Sequence, residues 1–148
     1  IVSFVGAGLL GLAHTLPGVN MYTHGTLVTA MHGHLAFWGA YGMIVLAFIS
    51  YSLPNLTGRK LYDSTTGLLA FWLSNIGMVG MTVAFGVAGV AQVYLERKVG
   101  FEFGDVQKEI QVHFVVLAIC ATMFTTGIGL FIYEFIKYGQ PTDEALVA

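Results

Sequence analysis

Long apolar runs, separated by short polar or proline-containing breaks, dominate the chain from its first residue. These runs are much longer than the roughly ten residues of a membrane-spanning barrel strand, and apolar and polar positions do not alternate along them. A helix rises about 1.5 Å per residue, so about twenty residues cross a hydrocarbon layer of about 30 Å. The pattern therefore predicts four transmembrane helices, at about residues 1–16, 23–53, 66–95 and 110–138.

Turn residues and charges mark the predicted helix ends. Pro17 and Gly18 follow the first run, Pro54 is expected to end the second, and a charged triplet beginning at Glu96 is expected to end the third. No run is polar enough to predict a soluble domain, so residues 1–148 are expected to form a single transmembrane region. The first residues are apolar and include neither a methionine nor a basic segment, which we interpret as a C-terminal fragment of a larger subunit.

Composition supports the bilayer as the solvent of this chain. Apolar residues make up 56% and charged residues 9% of the sequence, and the mean hydropathy is +0.77. A soluble domain has roughly a quarter of its residues charged. The net charge of −2 and the absence of a Lys/Arg block argue against a nucleic-acid partner. Lysine and arginine divide equally between the two ends of the predicted helices, so charge does not orient the chain.

Two histidines, His32 and His34, lie inside the second predicted helix. An imidazole that lacks hydrogen bonds is costly in hydrocarbon, so such residues usually serve a function. Residues two apart on a helix differ in direction by about 200°, so the two rings should point to nearly opposite sides and cannot share one metal ion. Two planar cofactors flanking one helix would suit this arrangement, because haem iron accepts axial imidazoles. Hydrogen-bonded histidines or a proton relay remain the alternative on the residues alone.

The sequence around the histidine pair is more specific than its spacing. The stretch MYTHGTLVTAMHGHLAFWGAY at residues 21–41, preceded by His14-Thr15-Leu16, resembles the tenth-helix region of the bacterial nitric oxide reductase large subunit. That subunit is a branch of the haem-copper oxidase superfamily. The resemblance extends through YSLP at 51–54, FW at 71–72 and GMV at 77–79. It implies an all-α integral membrane fold corresponding to helices nine to twelve of a twelve-helix subunit.

The resemblance also implies roles for the two histidines. His32 would be the proximal ligand of the high-spin haem b3, and His34 one of the two axial ligands of the low-spin haem b. In the family, the second ligand of haem b and the ligands of the non-haem iron lie on earlier helices. No catalytic residue is therefore expected within these residues, and the segment alone is expected to be inactive. Both iron ligands are cofactor-binding residues.

The implied activity is the reduction of two NO molecules to N2O and water at a haem b3/non-haem iron centre. Electrons would arrive through haem b from a cytochrome c subunit or a quinol, and the sequence does not decide between these donors. The expected surroundings are the remainder of the catalytic subunit and the cytoplasmic (inner) membrane of a bacterium. The alternatives are a terminal haem-copper oxygen reductase, which has two histidines at the same spacing, and a non-catalytic haem-binding membrane anchor.

Other polar residues have weaker interpretations. His24 is a possible contact of a haem propionate, or an interfacial residue facing water. His14 could belong to a polar path beside the high-spin haem, or cap the first helix. His113 is expected to be a solvated first-turn residue without a role. Asn75 is expected to need a partner on a neighbouring helix, and Lys98 is either a propionate partner or an interfacial anchor.

Overall fold

The computed structural model describes residues 1–58 and 64–138, except the side chains of residues 64 and 138. Within these ranges the secondary structure is helical throughout and contains no strand. We label the α-helices α1 to α7 and the two π-helical segments π1 and π2. In chain order they are α1 (Val2–Thr15), α2 (Pro17–Thr23), α3 (Leu27–His34), π1 (Leu35–Gly42), α4 (Met43–Thr57), α5 (Ser64–Tyr94), π2 (Leu95–Val99), α6 (Phe103–Glu109) and α7 (Gln111–Tyr138).

Three continuous helices are long and apolar enough to cross a membrane. They cover Leu27–Thr57, Thr65–Val99 and Gln111–Lys137. The pair α1 and α2, bent by 99° at the break between them, makes a fourth candidate span if the two are counted together. Most of the large apolar side chains on the outer faces of these helices are exposed, as lipid contact requires. The prediction of an all-α multi-pass membrane protein is confirmed.

The chain departs from the expected break after the first helix. Leu16 is extended, with φ −77° and ψ 121°, and Pro17 then opens the short helix α2. Proline suits the first helical position because its missing N–H would have no partner there. The next helix begins at Leu27, four residues later than predicted. Thr26 sets this start, because its Oγ1 accepts a hydrogen bond from the Val28 N–H at 3.3 Å.

Pro54 does not end the second span, so that prediction is wrong. Pro54 lies inside α4, which continues to Thr57 and ends at Gly58 with a φ of 68°. The missing proline N–H costs one backbone hydrogen bond, and polar side chains in the last turn bond to neighbouring carbonyls. Asn55 Nδ2 donates to the Tyr51 carbonyl at 2.8 Å, and Thr57 Oγ1 donates to that of Leu53 at 2.8 Å.

The sequence predicted neither the two π-helical segments nor the short helix α6. Segment π1 follows His34 directly, and π2 extends the third span beyond Tyr94 to Val99. The charged triplet from Glu96 thus lies within π2 rather than after the helix, and Gly100, with a φ of 83°, terminates it. A π-helix is rare and occurs mostly as short interruptions of α-helices, frequently at functional sites.

Helix α5 is the centre of the bundle and packs against α7 on one side and α3 on the other. Glycines let the backbones approach closely at both contacts, as is common in membranes. A Cβ atom added to Gly77 would lie 2.5 Å from the backbone nitrogen of Phe124 on α7. One added to Gly89 would lie 2.8 Å from the carbonyl carbon of Leu27 on α3. These two contacts fix how α3 and α7 sit on α5.

Polar groups inside α5 bond within their own helix where the sequence predicted otherwise. Asn75 Nδ2 donates to the Phe71 carbonyl at 2.8 Å, so the expected partner on a neighbouring helix is wrong. Buried Ser74 donates to the Ala70 carbonyl at 2.7 Å in the same way. Short polar side chains can bond the carbonyl four residues earlier, which satisfies them without interhelical contact.

Candidate functional site

The ring of His32 faces α1 and meets the ring of His14 there. The ring centroids are 5.4 Å apart and the planes cross at 69°. Gly11 provides the space, because a Cβ atom at that position would lie 3.1 Å from Cε1 of His32. The Nδ1 atoms of His14 and His32 are both buried and have no hydrogen-bond partner within residues 1–58 and 64–138. A buried polar atom without a partner is costly, so this pair is a candidate for binding another group.

The ring of His34 faces α5 instead, where its centroid lies 4.7 Å from that of the buried Phe85. His34 Nδ1 is 2.8 Å from the carbonyl oxygen of Ala30, one turn earlier. A carbonyl oxygen only accepts, so Nδ1 must carry the proton and donate. In the neutral ring Nε2 then has a free lone pair. A histidine oriented in this way by a backbone carbonyl is prepared to bind a metal through its other nitrogen.

His32 and His34 therefore face different helices, as their spacing predicts. Each ring could supply a single ligand to a separate group, on either side of α3. Within the described ranges, no three His, Cys, Asp or Glu side chains are grouped closely enough to hold a metal ion. The arrangement suits a cofactor that brings most of its own ligands and takes one imidazole from this chain, as haem iron does.

The first turn of α3 is held from α5 by Gln92. Its Oε1 accepts a hydrogen bond from the Leu27 backbone N–H at 2.9 Å, and its Nε2 donates to Oε1 of Glu96 at 2.9 Å. The Gln92 side chain is only 4% exposed. This glutamine thus links the histidine-bearing helix to π2.

The remaining predicted residues lie apart from the histidine pair. His24 is exposed at the end of α2, and His113 Nδ1 lies 3.3 Å from the Ile110 carbonyl at the start of α7. Across the described parts of the chain, no ring contact or hydrogen bond joins either of them to His32 or His34. Lys98 Nζ lies 5.4 Å from the ring centroid of Tyr22, a cation–π contact that ties π2 to α2.

Sequence reasoning missed Phe85 and Gln92, which touch α3 from α5. The signal for Gln92 was available: it is an amide in an apolar run, one helical turn before Glu96. Such a residue in a spanning helix needs hydrogen-bond partners. Phe85 had no such signal, because an aromatic residue in an apolar run is usual in any membrane helix.

Comparison with known proteins shows where this arrangement occurs. Residues 1–123 match the family described as Cytochrome C and Quinol oxidase polypeptide I. The chain is 37% identical over 148 residues to a nitric oxide reductase subunit of Stutzerimonas stutzeri, covering 95% of the chain and 31% of that relative. It is 24% identical over 135 residues to a cytochrome c oxidase subunit 1 of Thermus thermophilus, covering 90% of the chain and 24% of the relative.

A third relative is the alternative cytochrome c oxidase subunit 1 of Bradyrhizobium diazoefficiens, 32% identical over 108 residues. That alignment covers 71% of the chain and 17% of the relative. The chain therefore spans less than a third of the length of each of these three relatives.

Proposed function

The chain belongs to the cytochrome c and quinol oxidase polypeptide I family, and on that premise we propose that it forms part of the catalytic subunit of a bacterial membrane nitric oxide reductase. The proposed setting is the cytoplasmic membrane. The proposed partners are the remainder of the catalytic subunit and an electron donor, either a cytochrome c subunit or a quinol. The observation that carries the proposal is the 37% identity to a nitric oxide reductase subunit along 95% of the chain.

The histidine geometry supports haem as the cofactor. His34 has its Nδ1 proton committed to the Ala30 carbonyl, which leaves Nε2 to bind iron. His32 has a buried Nδ1 atom without a described partner, and its ring lies against the small residue Gly11 rather than a bulky one. We assign His34 to the low-spin haem b and His32 to the high-spin haem b3. His24 is assigned to a propionate contact, since it is a polar residue at the end of α2, before α3 begins.

The reaction proposed for the whole subunit is 2 NO + 2 e⁻ + 2 H⁺ → N2O + H2O. When bound, the haems and the non-haem iron supply the electron transfer and the bond chemistry. The residues of this chain bind and orient those groups. Helix α3 presents one imidazole to each side, so both haems would attach to the same short helix. The hydrogen bond from His34 to Ala30 holds one ring fixed, which reduces the rearrangement that accompanies electron transfer.

An oxygen reductase is the second candidate, because the two other relatives are cytochrome c oxidase subunits. The relative from Thermus thermophilus is less similar, at 24% identity, and the one from Bradyrhizobium diazoefficiens aligns over a smaller share of the chain. A non-catalytic haem-binding anchor has no support among these relatives. Turnover of NO against turnover of O2 by the purified complete subunit separates the first two candidates directly.

Replacement of each histidine in the complete subunit tests the proposal. We expect His34→Ala to abolish the low-spin haem signal and His32→Ala to abolish the high-spin signal, measured by optical and electron paramagnetic resonance spectra. His113→Ala is the matched control, because that residue sits at the start of α7, and it should leave both signals and NO turnover unchanged. Retention of both haems in both variants would contradict the assignment.

A second prediction concerns the space beside His32. We expect Gly11→Ala to displace the His32 ring, because the new Cβ would lie 3.1 Å from Cε1, closer than nearly all real contacts. Gly8→Ala, on the same helix, meets nothing within 4 Å and serves as the control. Optical spectra should show a shifted or depleted high-spin haem only in Gly11→Ala. Identical spectra for the two variants would place the high-spin haem away from this contact.

A further inference from the structure

Gln92 is a buried amide in a spanning helix, and both ends of its side chain are hydrogen-bonded. At 4% exposure it would be costly to bury unless paired. Its Oε1 accepts from Leu27 on α3, and its Nε2 donates to Glu96 on π2. Packing alone would not require an amide here, since the neighbouring apolar residues of α5 fill the same interface. The two hydrogen bonds are therefore the specific contribution of this side chain.

The N–H that Gln92 binds belongs to the first residue of α3. The first N–H groups of a helix have no partner within the helix, and lipid offers none. Thr26 satisfies two of them: its Oγ1 accepts from Val28 and its carbonyl accepts from Thr29 at 3.0 Å. The Leu27 N–H depends on a different helix. Gln92 thus fixes the level at which α3 begins along α5.

That level also sets the position of His34. Leu27 pairs with Gln92, and His34 pairs with Phe85. Each pair is separated from the other by seven residues along its own helix, or about 10.5 Å and two turns. The two helices therefore keep one antiparallel register between the capped end and the histidine. Between these contacts Gly89 holds the backbones close, with no side chain to slide past.

We propose that Gln92 is a positioning residue that sets the height and orientation of the His34 ring through its hydrogen bond to the start of α3. Glu96 holds the Gln92 amide in the rotamer that makes this bond. The proposal rests on the proposed function in that His34 is taken to bind the low-spin haem. The capping itself is independent of haem, so the two can be tested separately.

The test uses the complete, membrane-extracted subunit with Gln92→Leu and with the double exchange Gln92→Glu plus Glu96→Gln. Leucine keeps the volume and loses both hydrogen bonds. The double exchange keeps the total charge and restores both bonds in reverse: the carboxylate at position 92 accepts from Leu27 and from the amide at position 96. Ser74→Ala is the control, because this buried hydroxyl of α5 bonds only within its own helix.

Two readouts are needed. Hydrogen–deuterium exchange of the peptide covering residues 26–34 should be about ten-fold faster in Gln92→Leu, the effect expected for loss of a helix cap, and should return to the wild-type rate in the double exchange. The g values of the low-spin haem, which report the orientation of the axial imidazoles, should shift in Gln92→Leu and return in the double exchange. Ser74→Ala should change neither.

Wild-type exchange and wild-type g values in Gln92→Leu would overturn the proposal, as would a double exchange as perturbed as Gln92→Leu. If Gln92→Leu fails to assemble, the double exchange decides alone: wild-type readouts support the proposal and shifted ones overturn it. Faster exchange with unshifted g values would show that Gln92 caps α3 without positioning the ligand, which also overturns it. Failure of the proposed function is a different result, namely haem retention in His34→Ala.

Discussion

Gly77→Ala in the complete subunit is expected to disrupt the contact between α5 and α7 and to lower stability by about 3 kcal/mol. The added Cβ would lie 2.5 Å from the Phe124 nitrogen and 2.7 Å from the Cys120 carbonyl oxygen. Both are backbone atoms, so no side-chain rotation relieves the clash. The helices must separate, which also opens the cluster of Met78, Met81 and Phe124. Thermal unfolding in detergent, followed by size-exclusion chromatography, measures the loss.

Gly129→Ala is the matched control for this prediction. Gly129 lies on α7, and a Cβ atom there would meet nothing within 4 Å. Alanine favours a helix over glycine by up to about 1 kcal/mol, so this variant should be as stable as the wild type or slightly more so. Equal stability of the Gly77 and Gly129 variants would mean that α5 and α7 are not in close contact in the membrane.

Gly89→Ala should have its main effect on haem binding rather than on overall stability. Its Cβ would lie 2.8 Å from the Leu27 carbonyl carbon and 2.8 Å from Cγ2 of Val28. Relief requires α3 to move away from α5, which carries His34 away from Phe85. Overpacking of this kind costs about 1–3 kcal/mol, and we expect about a ten-fold weaker retention of the low-spin haem. Haem content and low-spin absorbance after dialysis against apomyoglobin measure it.

Gly67→Ala provides the comparison on the same helix, because a Cβ atom there also meets nothing within 4 Å. The contact of His32 with His14 lies on the opposite side of α3 from α5, so the high-spin haem should be lost less than the low-spin haem in Gly89→Ala. Equal loss of both haems would indicate general unfolding rather than displacement of α3 from α5.

The spanning character of this fold could be predicted because lipid imposes it. Apolar length and charge depletion are properties of the sequence itself, and they identified all three continuous spans. The details depend on neighbours. Pro54 remains in α4 because side chains in the same turn bond to nearby carbonyls, and this compensation does not follow from the proline alone. Segment π1 follows a histidine with ordinary helical residues, and nothing in their propensities favours the wider helix.

The candidate site was predictable to the same limit. Opposite directions for His32 and His34 follow from helical rotation, and the structure places their rings against α1 and α5. Which residues meet them does not follow, because it depends on interhelical register. His14 had two interpretations, and only the packing of α1 brings its ring to His32. Gln92 acts on a residue 65 positions away in the chain, a pairing that no local pattern contains.

The π-helical segment after His34 affects how this chain should be aligned with its relatives. A π-helix closes its hydrogen bonds over five residues rather than four, so it holds more residues per turn than an α-helix. Residues beyond Gly42 therefore face directions that differ from those of an uninterrupted α-helix drawn onward from His34. A relative with a plain α-helix here would need a gap near residues 35–42 for the faces of the two proteins to correspond. Ungapped alignment would match lipid-facing positions in one chain with interior positions in the other.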